Sequence, residues 1–396
     1  VISVNAAHET FLKYVKLRDL YRERDRKERD KICFFNSVKT WGGGEKWHFE
    51  MVNRLHEKGN SVSIFTNRTS ELRTRILETE IPISRMRINN LSFLNPYKII
   101  KLAIIFRKLK VRTIIMNLST DLKVAGIASK LAGIPHIIYR RGSAIPIRNS
   151  FLNRYLFGKV VHQVIANSQE TKRTILSRNP RMINVNRIKI IYNGINLPRF
   201  DETPVSFRYK HKGNEIIIGN AGRLVKQKGQ KYLIDLASKL KRKKIDFKIL
   251  IAGEGRMENE LKALISKNKL KKYFEFCGFV EDMKGFMQSI DIFVLTSIWE
   301  GFGYVLVEAM ACNKPVVAFE ISSNPEIVED QKTGYLVPPF DMEALTEKVI
   351  QLINDKADRI KLGNMGRERV EKMFSIGKTQ ENLENLLEEY SYIPLE

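Results

Sequence analysis

The stretch TSIWEGFGYVLVEAMACNKP at residues 296–315 decides how this chain folds. The apolar, β-branched run IDIFVL at residues 290–295 precedes it and predicts a buried parallel strand. A turn containing Gly301 and Gly303 follows, and then an apolar helical run that stops at Pro315. The free N–H groups at such a helix start attract anions, of which phosphate is the usual one. The stretch therefore predicts a strand, a turn and a helix with a phosphate-binding edge.

Two carboxylates in this stretch are candidate ligand-binding groups. Glu300 precedes the glycine turn, and Glu308 lies four residues beyond Tyr304, which places it on the same helix face one turn deeper. One carboxylate on the loop and one on the helix would flank a polyhydroxylated ligand whose phosphate lies between them. A single glutamate in either place is more often simply solvated, so the interpretation depends on the motifs around the pair.

Residues 219–341 carry five motifs in a fixed order. They are GRLVKQKG at 222–229, IAGEG at 251–255, FCGFV at 276–280, EGFGYVLVE at 300–308 and NPEIVEDQKTGYLV at 324–337. On these motifs the chain resembles the nucleotide-sugar-binding half of the GT-B glycosyltransferases, in particular the large retaining family called group 1 or family four. The resemblance implies an α/β fold of the GT-B type, with two facing Rossmann-like domains and a central cleft.

The resemblance also implies a role for individual residues. Arg223 and Lys228 would hold the donor diphosphate, since a planar guanidinium and a point ammonium near a helix start form a suitable clamp. Glu300 would bond the sugar hydroxyls and complete the catalytic set, and Glu308 would bond the ribose hydroxyls. The implied donor-binding residues are Gly43, Gly44, Gly253, Gly278, Phe279, Val280, Gly301, Phe302, Gly303 and Glu308.

Length, charge and cysteine content set the outer limits of the interpretation. At 396 residues the chain suits two domains, and a net charge of +24 predicts attraction to a polyanion. The basic residues are dispersed without an aromatic-interleaved motif, which argues against nucleic acid and leaves an anionic membrane or a phosphorylated glycan. Cys33, Cys277 and Cys312 stand far apart, as suits small buried residues in a reducing cytosol.

The chain divides into four segments. We expect a basic N-terminal extension at residues 1–30, an N-terminal Rossmann-like acceptor domain at 31–200, a C-terminal nucleotide-sugar domain at 201–376 and a C-terminal helix at 377–396. The resemblance implies that this last helix returns toward the N-terminal domain. The extension, which does not begin with Met and is either native or a truncated start, suits a solvated helix with i,i+4 ion pairs or a basic helix lying on a membrane.

The N-terminal half opens with a second strand, turn and helix pattern. The strand KICFF at residues 31–35 leads to the glycines at 42–44, and the resemblance implies that Gly43 and Gly44, before Glu45, face the donor diphosphate and the acceptor. Where many relatives carry histidines near two strand tips, this sequence has Asn117 and Arg141. These two, with Arg140, are the candidate acceptor-binding residues, and the adjacent arginines would grip an anionic acceptor bidentately.

Residues 98–110 alternate apolar and basic side chains at helical spacing. Ile99, Leu102, Ala103 and Phe106 share one face, which predicts a crossover helix packed on the sheet. A membrane-touching helix is the alternative, and the two are compatible because the basic outer face can contact lipid. With no apolar run near the roughly 20 residues that span a bilayer, we expect a cytoplasmic protein, peripheral on the inner face of the cell membrane.

The expected reaction is transfer of a sugar from a nucleotide diphosphate sugar to a glycan or glycolipid acceptor in cell-surface polysaccharide or lipopolysaccharide synthesis. The sequence contains no D-x-D, so we expect no metal and no cofactor, and charge neutralisation by Arg223, Lys228 and helix N-termini. Two alternatives stay open: a non-catalytic sugar-nucleotide-binding partner protein and a GT-B nucleotide-sugar epimerase. The nucleobase, sugar, acceptor, linkage and oligomeric state are not encoded in any motif.

Overall fold

The computed structural model describes residues 31–210, 213 and 215–391, so the predicted extension at residues 1–30 lies outside the described residues. Within the described residues all strands pair in parallel, in a seven-stranded sheet of order β3-β2-β1-β4-β5-β6-β7 and a six-stranded sheet of order β10-β9-β8-β11-β12-β13. The predicted pair of Rossmann-like sheets is confirmed.

The first sheet carries the N-terminal half of the chain. Its strands are β1 (Lys31–Asn36), β2 (Val62–Thr66), β3 (Ile83–Arg85), β4 (Val111–Met116), β5 (His136–Arg141), β6 (Gln163–Ala166) and β7 (Ile188–Ile190). The helices of this half are α1 (Gly43–Glu57), α2 (Glu71–Ile76), α3 (Pro96–Lys108), α4 (Ser119–Asp121), α5 (Ile127–Ala132), α6 (Phe151–Tyr155), α7 (Gln169–Leu176) and α8 (Leu197–Glu202). Two π-helical turns, Leu122–Gly126 and Leu156–Val160, continue α4 and α6.

The second sheet carries the C-terminal half. Its strands are β8 (Ile216–Ala221), β9 (Phe247–Ala252), β10 (Phe274–Gly278), β11 (Ile292–Leu295), β12 (Val316–Phe319) and β13 (Gly334–Val337). The helices are α9 (Lys231–Arg242), α10 (Glu258–Lys267), α11 (Met283–Gln288), α12 (Tyr304–Ala311), α13 (Asn324–Ile327), α14 (Met342–Asn354), α15 (Lys356–Met373) and α16 (Ile376–Ser391).

Apolar packing on both faces of each sheet explains the near-continuous apolar strands. In β1, Cys33 and Phe35 join one core, while Ile32 and Phe34 join another on the opposite face. Because neighbouring side chains of a strand point to opposite faces, a strand covered by helices on both sides must be apolar throughout. The arrangement brings the carboxyl ends of all strands of a sheet to one edge.

The C-terminal helix α16 packs against the first sheet. Leu383 and Leu386 lie in the same core as Phe34. Two ion pairs flank this contact: Lys58 Nζ lies 2.8 Å from Glu384 Oε2, and Lys189 Nζ lies 3.2 Å from Glu389 Oε1. The end of the chain therefore braces the half from which the chain starts.

The predicted packing of α3 is confirmed, since Ile99, Leu102, Ala103 and Phe106 are buried. Helix α8 begins at Leu197, because the Asn196 side chain caps it and Pro198 fits its first turn. His162 lies just beyond the π-helical turn that ends at Val160, and its Nδ1 accepts a hydrogen bond from the Ile137 backbone N–H at 3.0 Å.

Candidate active site

The predicted donor residues of the second half lie at or beyond the carboxyl ends of strands β8, β9, β10 and β11 of the second sheet. Strands β8 and β11 are neighbours there. The loop after β8 carries Arg223 and Lys228, and the loop after β11 carries Glu300 and the glycine turn. Gly229 lets these two loops meet: it has φ of +62°, and a Cβ on it would lie 2.1 Å from the Thr296 carbonyl oxygen. A side chain at this position would force the loops apart.

Lys228 and Glu300 form an ion pair at the centre of this edge. The Lys228 Nζ lies 2.6 Å from Glu300 Oε1, and the two side chains are only 15% and 6% exposed. The Ser297 hydroxyl donates a second hydrogen bond to the same carboxylate oxygen at 2.6 Å. Arg223 is exposed, and its guanidinium has no partner within the part of the chain that the structure describes. One predicted cation is therefore held in place, and the other is free to meet an anion.

Glu308 lies on the first turns of α12 and points into the cleft between the two halves. Its side chain is 10% exposed, and Oε1 lies 3.3 Å from Nζ of Lys46, a residue of α1 in the first half. The same ammonium lies 4.3 Å from the ring centre of Tyr304. Burial alone would lower the pKa of Lys46, but neighbouring Tyr304 and Glu308 raise it above its usual range. Lys46 is a site residue that the sequence interpretation missed, although it directly follows the predicted Gly43, Gly44 and Glu45.

The glycine turn before α12 packs tightly against the first half. A Cβ on Gly301 would lie 2.2 Å from the Gly142 carbonyl oxygen, so only glycine fits there. Phe302 is buried among the apolar side chains of the second half, with its ring 5.8 Å from that of Phe374. The predicted donor contact of Phe302 is thus restricted to its backbone. Gly303 directly precedes α12 and provides no side-chain cap, while the Tyr304 and Leu306 amides donate to the Phe302 and Gly303 carbonyls.

The loops after β9 and β10 meet at the far end of the same edge. Gly253 has φ of +131°, and a Cβ on it would lie 2.2 Å from the Gly222 carbonyl oxygen. Its amide donates to the Gly278 carbonyl at 2.6 Å. Phe279 is 71% exposed, whereas Val280 packs partly against the core. These residues form one end of the donor site that the resemblance implies.

The three predicted acceptor residues are engaged within the first half. Arg140 is 1% exposed, and it donates to Asn117 Oδ1 at 3.1 Å and to Asn193 Oδ1 at 2.7 Å. Arg141 donates to the Ile145 carbonyl and to the Tyr139 hydroxyl. The expected grip on an anionic acceptor is therefore wrong for Arg140, which is buried, whereas for the half-buried Arg141 it stays a prediction.

A buried polar network links Asn117 to the first glycine loop. The Asn117 amide donates to Glu45 Oε1 at 3.0 Å, and Asn36 donates to the same oxygen at 3.3 Å. A Cβ on Gly44 would lie 2.8 Å from Asn117 Nδ2, so the loop lies directly on this network, whereas Gly43 is exposed. Burial raises the pKa of Glu45, and burial lowers the pKa of Arg140 to about 10 although Glu45 opposes that change. The network fixes the loop rather than presenting free charges.

No cluster of three or more His, Cys, Asp or Glu residues that could hold a metal ion occurs among the described residues. Two further contact residues were not identified from the sequence: Ser168, whose side chain caps α7, and Glu326, which lies within the NPEIV motif. Both connect the two halves near the glycine turn, as described below.

Two family models match the chain in succession. The model "Glycosyltransferase Family 4" matches residues 41–199, and the model "Glycosyl transferases group 1" matches residues 201–369. An uncharacterized glycosyltransferase of Methanocaldococcus jannaschii is 32% identical over 275 residues, which are 68% of this chain and 72% of that protein. The capsular polysaccharide biosynthesis glycosyltransferase CapM of Staphylococcus aureus is 28% identical over 85% of this chain and 91% of its own length.

Solved structures match over nearly the whole chain. A glycosyltransferase from Rickettsia africae has a TM-score of 0.80 at 23% identity, with 92% of this chain and 99% of that chain covered. HepE of Anabaena, solved in complex with UDP, has a TM-score of 0.78 at 21% identity, with 91% and 100% covered. These likenesses confirm the overall fold.

Proposed function

Because the chain belongs to the group 1, family four glycosyltransferases and has their GT-B fold, we propose that it transfers a sugar, with retention of configuration, from a nucleotide diphosphate sugar to a glycan or glycolipid acceptor. The observation that carries this proposal is the Lys228–Glu300 pair, 2.6 Å apart, beside the glycine turn and the start of α12. A cation, a carboxylate and a helix N-terminus converge there, which suits a donor whose sugar and diphosphate are adjacent.

Arg223 and Lys228 act on the leaving group. When the bond between the anomeric carbon and the diphosphate breaks, negative charge grows on the diphosphate, and both cations and the α12 N-terminus stabilise it. The acceptor hydroxyl attacks from the same face, and its proton passes to the departing phosphate oxygen. Glu300 and Glu308 hold the sugar and ribose hydroxyls. We propose that this set works without a metal or any cofactor.

Two observations support a proposal for the acceptor: the roles of similar proteins and the net charge of the chain. CapM takes part in capsular polysaccharide biosynthesis, and another relative, 30% identical over 45% of this chain and 36% of its own length, is a poly(ribitol-phosphate) N-acetylglucosaminyltransferase of Staphylococcus aureus. We propose the same broad role here, in cell-surface polysaccharide or lipopolysaccharide synthesis. A net charge of +24 favours an anionic acceptor.

The outer face of α3 supports attachment to an anionic membrane. Tyr97, Ile100 and Ile104 are 70%, 53% and 46% exposed on one side of this helix, and the exposed Lys101 and Lys108 lie among them. No helix in the described part of the chain is long and apolar enough to cross a bilayer. Since each Lys or Arg near an anionic leaflet contributes about 1 kcal/mol, a few suffice for reversible attachment at the cytoplasmic face.

A nucleotide screen followed by a turnover assay tests the proposed reaction. UDP, GDP, ADP and CMP are compared by thermal shift, since a ligand at 100 times its Kd stabilises the folded state by about 2.7 kcal/mol. The matching sugar donors are then incubated with and without EDTA, and the anomeric configuration of the product is determined. We expect one nucleoside diphosphate to bind, turnover insensitive to EDTA, and retention.

Each contrary result excludes a defined part of the proposal. Binding without any turnover would favour the non-catalytic partner protein, and conversion of the donor sugar without transfer would favour the epimerase.

Membrane attachment is tested by sedimenting the protein with vesicles that contain or lack anionic lipid, at low and at high salt. The variant is Ile100→Ser/Ile104→Ser. The control is Leu77→Ser, because Leu77 is an exposed leucine at the C-terminal cap of α2. Equal sedimentation with neutral and anionic vesicles would exclude it.

A further inference from the structure

Glu326, a residue of α13 in the second half, is bound by groups of the first half. Its Oε2 accepts the Gln169 amide at 2.6 Å, and its Oε1 accepts the Glu170 amide at 2.9 Å. These are the first two N–H groups of α7, which have no partner inside their own helix. The Tyr192 hydroxyl also bonds this carboxylate, and burial together with Glu326 raises the pKa of Tyr192 to about 12.

The backbone of Glu326 is anchored in the second half. Arg369 of α15 donates from Nη2 to the Glu326 carbonyl at 3.0 Å and from Nε to the Ile327 carbonyl at 2.8 Å. The Glu326 carboxylate is thus held in place by the second half of the chain and caps helix α7 of the first half. A negative charge at a helix N-terminus is favourable, and two amide donors make its position specific.

The start of α7 also contacts the glycine turn at residues 301–303, which we name the donor turn. The Ser168 hydroxyl, at the cap of α7, donates to the Gly301 carbonyl oxygen at 2.7 Å. Ser168 is fully buried, and Gly142 of the first half closes the other side of the turn, where only glycine fits at position 301. Because the peptide unit is planar, fixing the Gly301 carbonyl also fixes the direction of the Phe302 N–H on the opposite side of that unit.

We propose that Glu326 and Ser168 are positioning residues that couple closure of the cleft to assembly of the donor turn. The inference rests on the proposed function of Gly301 to Gly303 as the sugar-facing backbone. When the halves separate, the Glu326 cap and the Ser168 bond break together, and the Gly301 peptide loses its fixed direction. Sugar transfer then requires the closed arrangement, whereas nucleotide binding through Arg223, Lys228 and Glu308 does not depend on these two contacts.

The test compares Glu326→Ala and Ser168→Ala with Glu329→Ala. Glu329 lies three residues further along and is bound by Lys332 and Arg369, both of the second half. Hydrogen exchange of the Gln169 and Glu170 amides is measured in the full chain without ligand. We expect Glu326→Ala to speed their exchange at least about tenfold and Glu329→Ala to leave it unchanged, because helix-start amides lacking a cap exchange freely.

Turnover and nucleotide binding give the second readout. Both positioning variants should lower kcat at least about tenfold while the Kd for the bound nucleoside diphosphate changes less than about threefold, since a group needed only to orient the turn affects the transition state alone. Unchanged amide exchange in Glu326→Ala, a kcat equal to that of Glu329→Ala, or a parallel loss of kcat and nucleotide affinity would each overturn the inference. A parent protein that neither binds nucleotide nor turns over a donor would instead refute the proposed function, and the exchange result alone would then decide whether Glu326 holds the two halves together.

Discussion

Replacing Lys228 by methionine tests whether this one side chain both stabilises the fold and neutralises the negative charge of the donor diphosphate. The Lys228 Nζ lies 2.6 Å from Glu300 Oε1, with little of either side chain exposed. Lys228→Met keeps the stem and removes the charge, which leaves Glu300 with the Ser297 hydroxyl as a side-chain partner. We expect a loss of stability in the second half and, separately, a loss of turnover.

The burial of the pair sets the expected magnitude. Removing one partner of a fully buried ion pair costs about 3–5 kcal/mol, whereas an exposed pair is worth about 0–1 kcal/mol. With side-chain exposures of 15% and 6% and a retained bond from Ser297, this pair lies between the limits. We therefore expect Lys228→Met to lower the free energy of unfolding by about 2 kcal/mol. Turnover should fall at least about a hundredfold, because one electrostatic donor is worth ~3 kcal/mol in the transition state.

A double-mutant cycle separates the two effects. Glu300→Gln removes the charge that Lys228 neutralises, so Lys228→Met/Glu300→Gln should recover about 1.5 kcal/mol of the lost stability and none of the lost turnover. Urea unfolding is followed by hydrogen exchange of strands β11 and β12, because the two halves need not unfold as one unit. Lys226→Met, an exposed lysine in the same turn, is the control and should change neither quantity.

Two results would refute this reasoning. A coupling energy below about 0.5 kcal/mol in the cycle would show that the contact does not stabilise the folded protein. Turnover of Lys228→Met within about threefold of the Lys226→Met control would show that Lys228 does not neutralise the leaving diphosphate.

Three further predictions address single residues. Arg223→Ala should cut turnover at least about a hundredfold while changing the free energy of unfolding by less than about 0.5 kcal/mol, since this exposed side chain has no partner in the described part of the chain; turnover near that of the parent would exclude Arg223 from the clamp. Glu308→Gln should weaken donor binding by about one to two kcal/mol, and a deoxyribose donor should remove most of the difference between variant and parent; equal discrimination of ribose and deoxyribose by both proteins would contradict the ribose contact. Burial raises the pKa of Asp121 to about 7, although hydrogen bonds from Ser37 and Leu118 lower it. The pKa of Asp121 in the folded protein therefore exceeds its value of about 3.9 in the unfolded chain, so the protonated side chain favours the folded state. This stabilisation is complete below about pH 4 and is lost as the pH rises through about 7. Asp121→Asn should therefore flatten the fall in melting temperature over that interval, and an unchanged slope in the variant would show that another group is responsible.

The sequence alone was sufficient for the sheets and for the donor edge. Apolar β-branched runs such as residues 290–295 predict buried strands because both faces of a parallel strand are covered. The family resemblance implies that Arg223, Lys228 and Glu300 share the donor site, and the structure places Lys228 against Glu300. The glycines at 229 and 301 stand where close backbone approach requires them. Each motif is local and is encoded by spacing along the chain, whereas the contacts that Lys228 and Gly301 make join residues far apart in sequence.

The contacts between the two halves depended on tertiary structure. The sequence predicts that Arg140 is a cation facing the cleft. In the structure its guanidinium donates to Asn117 and Asn193, and no local sequence pattern indicates that this side chain is buried. Lys46 and Glu308 are in contact although they are 262 residues apart in sequence, and Glu326 contacts Gln169 at the start of α7 although 157 residues separate them. Periodicity describes the neighbours of a residue along its own helix or strand, whereas these pairs are set by how two separately packed sheets lie against each other. The sequence by itself thus determined the two halves and the donor edge, and only the tertiary structure decided which polar groups close the cleft, because that depends on distances between elements that share no local pattern.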